Sequence, residues 1–110
     1  MNKKIRHILS VSDFNGFIDL SNDCFVFVLF ARSCCQPCSA MKGTLEACAY
    51  KPPVFILDVD CDEMPDLCKK YFISGVPTLI SFAYGKPRNT YIGGNNVRDL
   101  TNFISSEMRP

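Results

Sequence analysis

Apolar residues fall along this chain in two rhythms. Three runs are continuous: Phe25-Val26-Phe27-Val28-Leu29-Phe30, Val54-Phe55-Ile56-Leu57-Asp58-Val59 and residues 78–83. Unbroken β-branched and aromatic runs of this length predict strands buried on both faces. Between them the spacing becomes helical. Phe14, Phe17, Ile18 and Leu20 follow the capping residues Ser12 and Asp13, predicting a short amphipathic helix over residues 13–21. Met41, Leu45 and Cys48 stand four and three apart, the face of a second helix in which Gly43 marks a weak point. Pro65 suits the first turn of a third helix, with Leu67, Tyr71 and Phe72 as its apolar face. Asn96 caps a last helix through Leu100, Phe103 and Ile104. Residues 5–9 form a candidate edge strand. Tyr84-Gly85-Lys86-Pro87 reads as a turn leading into a hairpin strand over residues 89–92, and Gly93-Gly94-Asn95 breaks the chain.

Strand–helix–strand steps imply parallel pairing through right-handed crossovers, and the late hairpin adds antiparallel strands. The expected fold class is α/β: a central mixed sheet of about five strands flanked on both faces by about four helices. A chain of 110 residues has the usual size of one domain, so residues 1–110 are expected to form a single unit.

Composition narrows the function classes. With 47% apolar residues the chain can build a packed core, and a net charge of +1, spread along its length, offers no basic patch for nucleic acid or a membrane surface. No stretch approaches the ~20 apolar residues of a bilayer span. The basic start, residues 1–7, resembles the head of a signal peptide, but residues 8–13 are too short and polar for its apolar core. A reducing, cytoplasmic compartment and a monomeric state are therefore expected. Seven cysteines are then the unusual feature. The number is odd and the core needs no staples, so most are expected to be thiols.

Cys35-Gln36-Pro37-Cys38 lies where a buried strand gives way to a helix. The first-turn N–H groups of a helix lack intrahelical partners, and the helix dipole is positive there. Both favour a thiolate, so Cys35 is expected to have a lowered pKa and act as nucleophile. Cys38, one turn on, can resolve a mixed disulfide. Pro37 stiffens the turn. A CxxC in this strand–helix setting is a redox signature.

From these residues the chain resembles the thioredoxin family. Phe30-Ala31-Arg32-Ser33-Cys34-Cys35-Gln36-Pro37-Cys38 is similar to the family's F-W-A-x-W-C-G-P-C, and Ser74-Gly75-Val76-Pro77-Thr78 to its cis-proline segment. Phe82-Ala83-Tyr84-Gly85 matches F-x-x-G, and Gly93 matches the glycine before the last helix. The resemblance runs the whole chain and implies a protein-disulfide reductase. Gln36, Pro37, Val76, Pro77 and Gly93 would line the substrate site, with Val76–Pro77 cis against the sulfurs. It also implies disulfide-containing protein substrates and recharging by an NADPH-dependent flavin reductase, with no organic cofactor bound to this chain.

Departures from the family pattern matter. The usual buried aspartate, six residues before the nucleophile, is Leu29, and its lysine partner falls at Ile56. Both halves of an ion pair have become apolar, which avoids a lone buried charge. The chemical cost is a group that moves protons for Cys38. Cys34 and Ala31 replace two tryptophans and Gln36 replaces a glycine, so partner choice does not carry over.

Cys34 is a candidate regulatory thiol or a small rim residue. Cys61 and Cys68, if both helical, stand about 10 Å apart along the axis, too far for a disulfide, and are candidates for regulation or for packing. Cys24 and Cys48 read as packing residues. Zinc bound by Cys34, Cys35 and Cys38 would need Cys61 to fold back as a fourth ligand; the expectation is no metal. His7 reads as a surface residue, and Asp58, Asp60, Asp62 and Glu63 as a solvated strand end. Two competing functions remain open on sequence: a binding module with incidental redox activity, and a disulfide oxidase or isomerase.

Overall fold

The computed structural model describes residues 5–48, 54–92 and 96–108. Its elements run β1 (Ile5–His7), α1 (Val11–Asp19), β2 (Phe25–Ala31), α2 (Gln36–Ala47), β3 (Val54–Asp60), α3 (Pro65–Lys70), β4 (Thr78–Ala83), β5 (Lys86–Tyr91) and α4 (Val97–Glu107). A short 3-10 turn over Leu20–Asn22 follows α1. The strands form one sheet in the order β1-β3-β2-β4-β5. β1 and β2 each pair with β3 in parallel, while β4 runs antiparallel to β2 and β5 to β4. This is the mixed five-stranded sheet with four helices that the apolar rhythm predicts.

Alternation along β2 builds two cores. Val26, Val28 and Phe30 meet Leu57, Val59 and Ile80 with Phe14 and Ile18 of α1 and Leu67 of α3. Phe27, Leu29 and Ala31 meet Ile56 and Leu79 with Cys38, Met41 and Leu45 of α2 and Leu100 and Ile104 of α4. Because both faces of β2 are covered, its sequence has no polar alternation.

Several boundaries move. α1 begins at Val11 because the Ser10 side chain, not that of Ser12 or Asp13, accepts the Asp13 N–H at 3.0 Å. The hairpin turn is only Tyr84-Gly85, whose φ values of 53° and 79° provide the twist that a two-residue hairpin requires. Pro87 then lies within β5, tolerated on an edge strand beside a register shift at Ser81/Phe82. α3 is short, and Phe72 does not join its apolar face. Phe72 has φ 57° and is 89% exposed, since the chain reverses there and Ile73 N–H returns to the Cys68 carbonyl at 3.0 Å. Leu67 and Tyr71 turn inward, the Tyr71 ring 5.8 Å from Phe30 and 5.3 Å from Phe82. Asn96 caps α4 as expected. Gly93, with the expected chain break over residues 93–95, lies outside the described residues.

Candidate functional site

The carboxyl end of β2 and the amino end of α2 are joined by residues 32–35. Cys35 is the N-cap of α2, in extended conformation, and Pro37 occupies the first turn. The Cys38 N–H, free of any intrahelical partner, donates to Cys35 Sγ at 3.2 Å. Cys35 and Cys38 are joined as a disulfide with Cα atoms 5.2 Å apart. Their surroundings differ. Cys35 is partly exposed, whereas Cys38 is 1% exposed and packed with Leu29, Met41 and Ala31. Cys34, Cys35, Gln36 and Ser39 line an open depression of about 290 Å³, and Gln36 and Pro37 are solvent-facing.

The segment before β4 reaches the same end of the sheet. Val76–Pro77 is a cis peptide. Thr78 pairs with Phe30 across the antiparallel β2–β4 ladder, which sets Pro77 beside Ala31, at the root of the cysteine loop. Val76 is half-buried and packs against both cores. Cys35, Cys38, Gln36, Pro37, Val76 and Pro77 therefore share one end of the sheet, as the motifs imply.

A third group at this end was not legible in the motifs. Asp60, the last residue of β3, is only 8% exposed; its carboxylate accepts from Ser33 Oγ at 2.8 Å and from the backbone N–H of Asp62 at 2.7 Å. Burial by itself would raise its pKa, but these hydrogen bonds, with one from Glu63 N–H, outweigh it and hold the carboxyl below its ordinary value. Arg32 pairs with Asp62 at 2.7 Å, and Cys61 N–H donates to Ala31 O at 2.8 Å. Asp58 is also buried, not solvated. Its Oδ2 meets His7 Nδ1 at 2.9 Å and Lys42 Nζ at 3.0 Å, and it sits opposite Leu29 in the β2–β3 register. His7 is correspondingly a bridge, its Nε2 reaching Glu63 at 2.9 Å. The Asp58 hydrogen bond, opposed by desolvation and aided by the two carboxylate charges, raises the His7 pKa above 6.5. Sequence spacing carries no sign of either role, because acids at alternate positions of a strand end look the same paired or solvated.

Leu29 and Ile56 are 0% and 1% exposed and lie in the core that holds Cys38. No charge occupies either position. Cys34 is exposed, with φ 57°, and remains a thiol, as does Cys24, which is half-exposed and not a core residue. Cys48 is buried, its sulfur 3.4 Å from the Thr101 hydroxyl.

Two further cysteine expectations are overturned: four of the seven are paired, so most are not thiols, and the second pair is one that helical spacing excludes. Cys61 and Cys68 form a disulfide with Cα atoms 5.7 Å apart. Helical spacing does not apply, because Cys61 precedes α3 and lies in the turn that follows β3; the chain folds back between the two. Cys61 is thereby engaged, and no group of three or more His, Cys, Asp or Glu side chains is placed to hold a metal ion among the described residues. A cavity of similar volume at the far end of the sheet is lined by Cys24, Arg88 and Glu107. Its carboxylate is already held by Ser81 and Asn89.

The family profile described as Thioredoxin matches residues 6–106. The chain belongs to the thioredoxin family. It is 35% identical to thioredoxin from Chlamydia trachomatis serovar D over 91 residues, covering 82% of this chain and 89% of that one. Thioredoxin from Acidithiobacillus ferridurans is 34% identical over 104 residues, 92% and 96% of the two chains. Among solved structures, oxidised mitochondrial thioredoxin 3 from Saccharomyces cerevisiae aligns with a TM-score of 0.79 at 26% identity, over 93% and 94% of the chains. Oxidised thioredoxin from Plasmodium falciparum gives 0.81 at 25% identity, over 93% and 96%. Cys35 and Cys38 stand at the thioredoxin active-site position, and the chain is a protein thiol–disulfide oxidoreductase.

Proposed function

We propose that this thioredoxin-family chain reduces protein disulfides, with Cys35 as the attacking sulfur and Cys38 as the resolving one. In the reduced form the Cys35 thiolate attacks one substrate sulfur. The Cys35–substrate S–S bond forms, the substrate S–S bond breaks, and the departing sulfur takes a proton. Cys38, deprotonated, then attacks Cys35 Sγ; the intramolecular disulfide forms and the second substrate thiolate leaves. Two electrons pass from the cysteine pair to the substrate.

The difference in burial between the two sulfurs carries this assignment. A partner can reach Cys35, whereas Cys38 meets only Cys35 and the core. The Cys38 N–H aimed at Cys35 Sγ and the start of α2 stabilise negative charge on that sulfur. Leu29 leaves the resolving thiol without an ionisable neighbour at that position, which slows the deprotonation of Cys38. Gln36, Pro37, Val76 and Pro77 receive the substrate segment along the cleft. A flavin-dependent reductase using NADPH restores the dithiol.

Insulin reduction with dithiothreitol as electron donor tests the assignment. Cys35→Ser should be inactive, and Cys38→Ser should accumulate a covalent complex with insulin through Cys35. Full activity in Cys35→Ser would overturn it. Coupling to a thioredoxin reductase and following NADPH oxidation tests the recharging step.

A further inference from the structure

The loop that delivers Cys35 has almost no support of its own. Residues 32–34 belong to no element, are all exposed, and include Cys34 at φ 57°. Cys35 itself is held by α2, through its cap and its bond to Cys38, whereas residues 31–33 leading to it are gripped by the end of β3 and the turn that follows. Ser33, two residues before Cys35, donates to Asp60 Oδ2; Arg32 pairs with Asp62; Ala31 O accepts from Cys61 N–H. Asp60 is central to this turn, because its Oδ1 also accepts the N–H groups of Asp62 and Glu63 and thereby shapes the backbone that carries the other two contacts.

We propose that Asp60 is a positioning residue for the redox reaction: acting through Ser33, it fixes the loop that presents Cys35 at the start of α2. The proposal rests on the assignment of Cys35 as nucleophile. The buried Cys61–Cys68 disulfide completes the device by tying the turn that carries Asp60 to α3. Cys68 O in turn accepts from Ile73 N–H, at the start of the segment that leads to Val76–Pro77. The cysteine loop and the segment leading to Val76–Pro77 are thus both tied to one anchored turn. Of the three grips, Arg32–Asp62 is the weak one, since both side chains are more than half exposed. The Ser33–Asp60 bond is the strong one, a hydrogen bond to a buried carboxylate. The charged and titratable groups facing Asp60 are Arg32 with Asp62, Glu63, and His7 across the β3 end.

The test is site-resolved alkylation of the reduced full chain by iodoacetamide across pH, read by mass spectrometry so that Cys34 and Cys35 are separated, alongside insulin reduction. Asp60→Ala should slow Cys35 alkylation and lower kcat/KM by about tenfold, as expected for a displaced reacting group. Ser33→Ala, which leaves the carboxylate and its backbone bonds in place, should shift both readouts in the same direction, and the double variant should be no worse than Asp60→Ala. Asp60→Asn, which keeps one accepting oxygen, should recover part of the loss. The proposal is overturned if Ser33→Ala alkylates at the wild-type rate, or if the two substitutions add in full, because Asp60 would then act through the fold and not through the loop. Wild-type insulin reduction together with an inactive Cys35→Ser keeps the assignment of Cys35 standing in either event.

Discussion

The two disulfides of this chain have similar Cα separations, 5.2 and 5.7 Å, and opposite settings. Cys35–Cys38 spans three residues at a helix start, with Cys35 partly exposed and Cys38 buried. Cys61–Cys68 spans seven residues across a turn, with both cysteines buried at 3% and 5% exposure. Exchange requires a thiolate to reach a sulfur along the S–S axis. The first bond is open to that approach from the depression beside Cys34. The second opens only if α3, six residues long, first moves away. Access and the local field thus separate a reactive pair from a clamp.

The largest effect expected is on chemistry. Cys35→Ser should remove insulin reduction to the dithiothreitol background, a loss of at least about a hundredfold, while Cys61→Ser/Cys68→Ser should retain most of kcat. Equal losses in the two variants would erase the distinction. Stability should reverse the order. Closing a loop of this length constrains the unfolded chain by about 2–3 kcal/mol, so the Cys61/Cys68 double variant should unfold at a visibly lower urea concentration. An unchanged midpoint would show that the buried bond clamps nothing. Graded reduction followed by alkylation sharpens the same contrast: Cys35 and Cys38 should label first, and Cys61 and Cys68 only at higher dithiothreitol or with added urea.

Phe72 lies on the segment that runs from the clamp toward Pro77, and a bulky residue in left-handed conformation is strained there. Phe72→Gly should raise stability by about 1 kcal/mol, a gain readable as a higher melting temperature. A drop would mean that the ring makes contacts its 89% exposure does not show.

The smallest effect is electrostatic. His7 has a folded pKa above its ordinary 6.5, so its bridge to Asp58 and Glu63 contributes fully below pH 6.5 and fades as pH rises through the folded value. The wild-type advantage over His7→Ala in urea midpoint should therefore narrow from about pH 5.5 to 8.5, and stay modest because the imidazole is 43% exposed. Asp60 has the opposite sign. Its depressed pKa gives stability that is present above the ordinary carboxyl value and lost as pH falls through the folded one.

The amino-acid order determined whatever depends on neighbours along the chain. Continuous apolar runs specified three central strands, since burial on both faces leaves no polar alternation, and CxxC after the first run specified a helix start carrying two sulfurs one turn apart. Leu29 and Ile56 each read as buried for the same reason, but the sheet register sets Leu29 opposite Asp58 and Ile56 opposite Phe27, so they are not the cross-strand pair that the family resemblance implied. Only the tertiary structure decided which distant groups meet. Asp58 and Asp60 look like solvated acids until β1 brings His7 and the cysteine loop brings Ser33. Cys61 and Cys68 look like helical neighbours too far apart until the chain turns between them. Spacing along one element is a local property set by backbone dihedrals; contact between a turn and a loop twenty-seven residues away depends on how the sheet is ordered, and no short window of sequence encodes that.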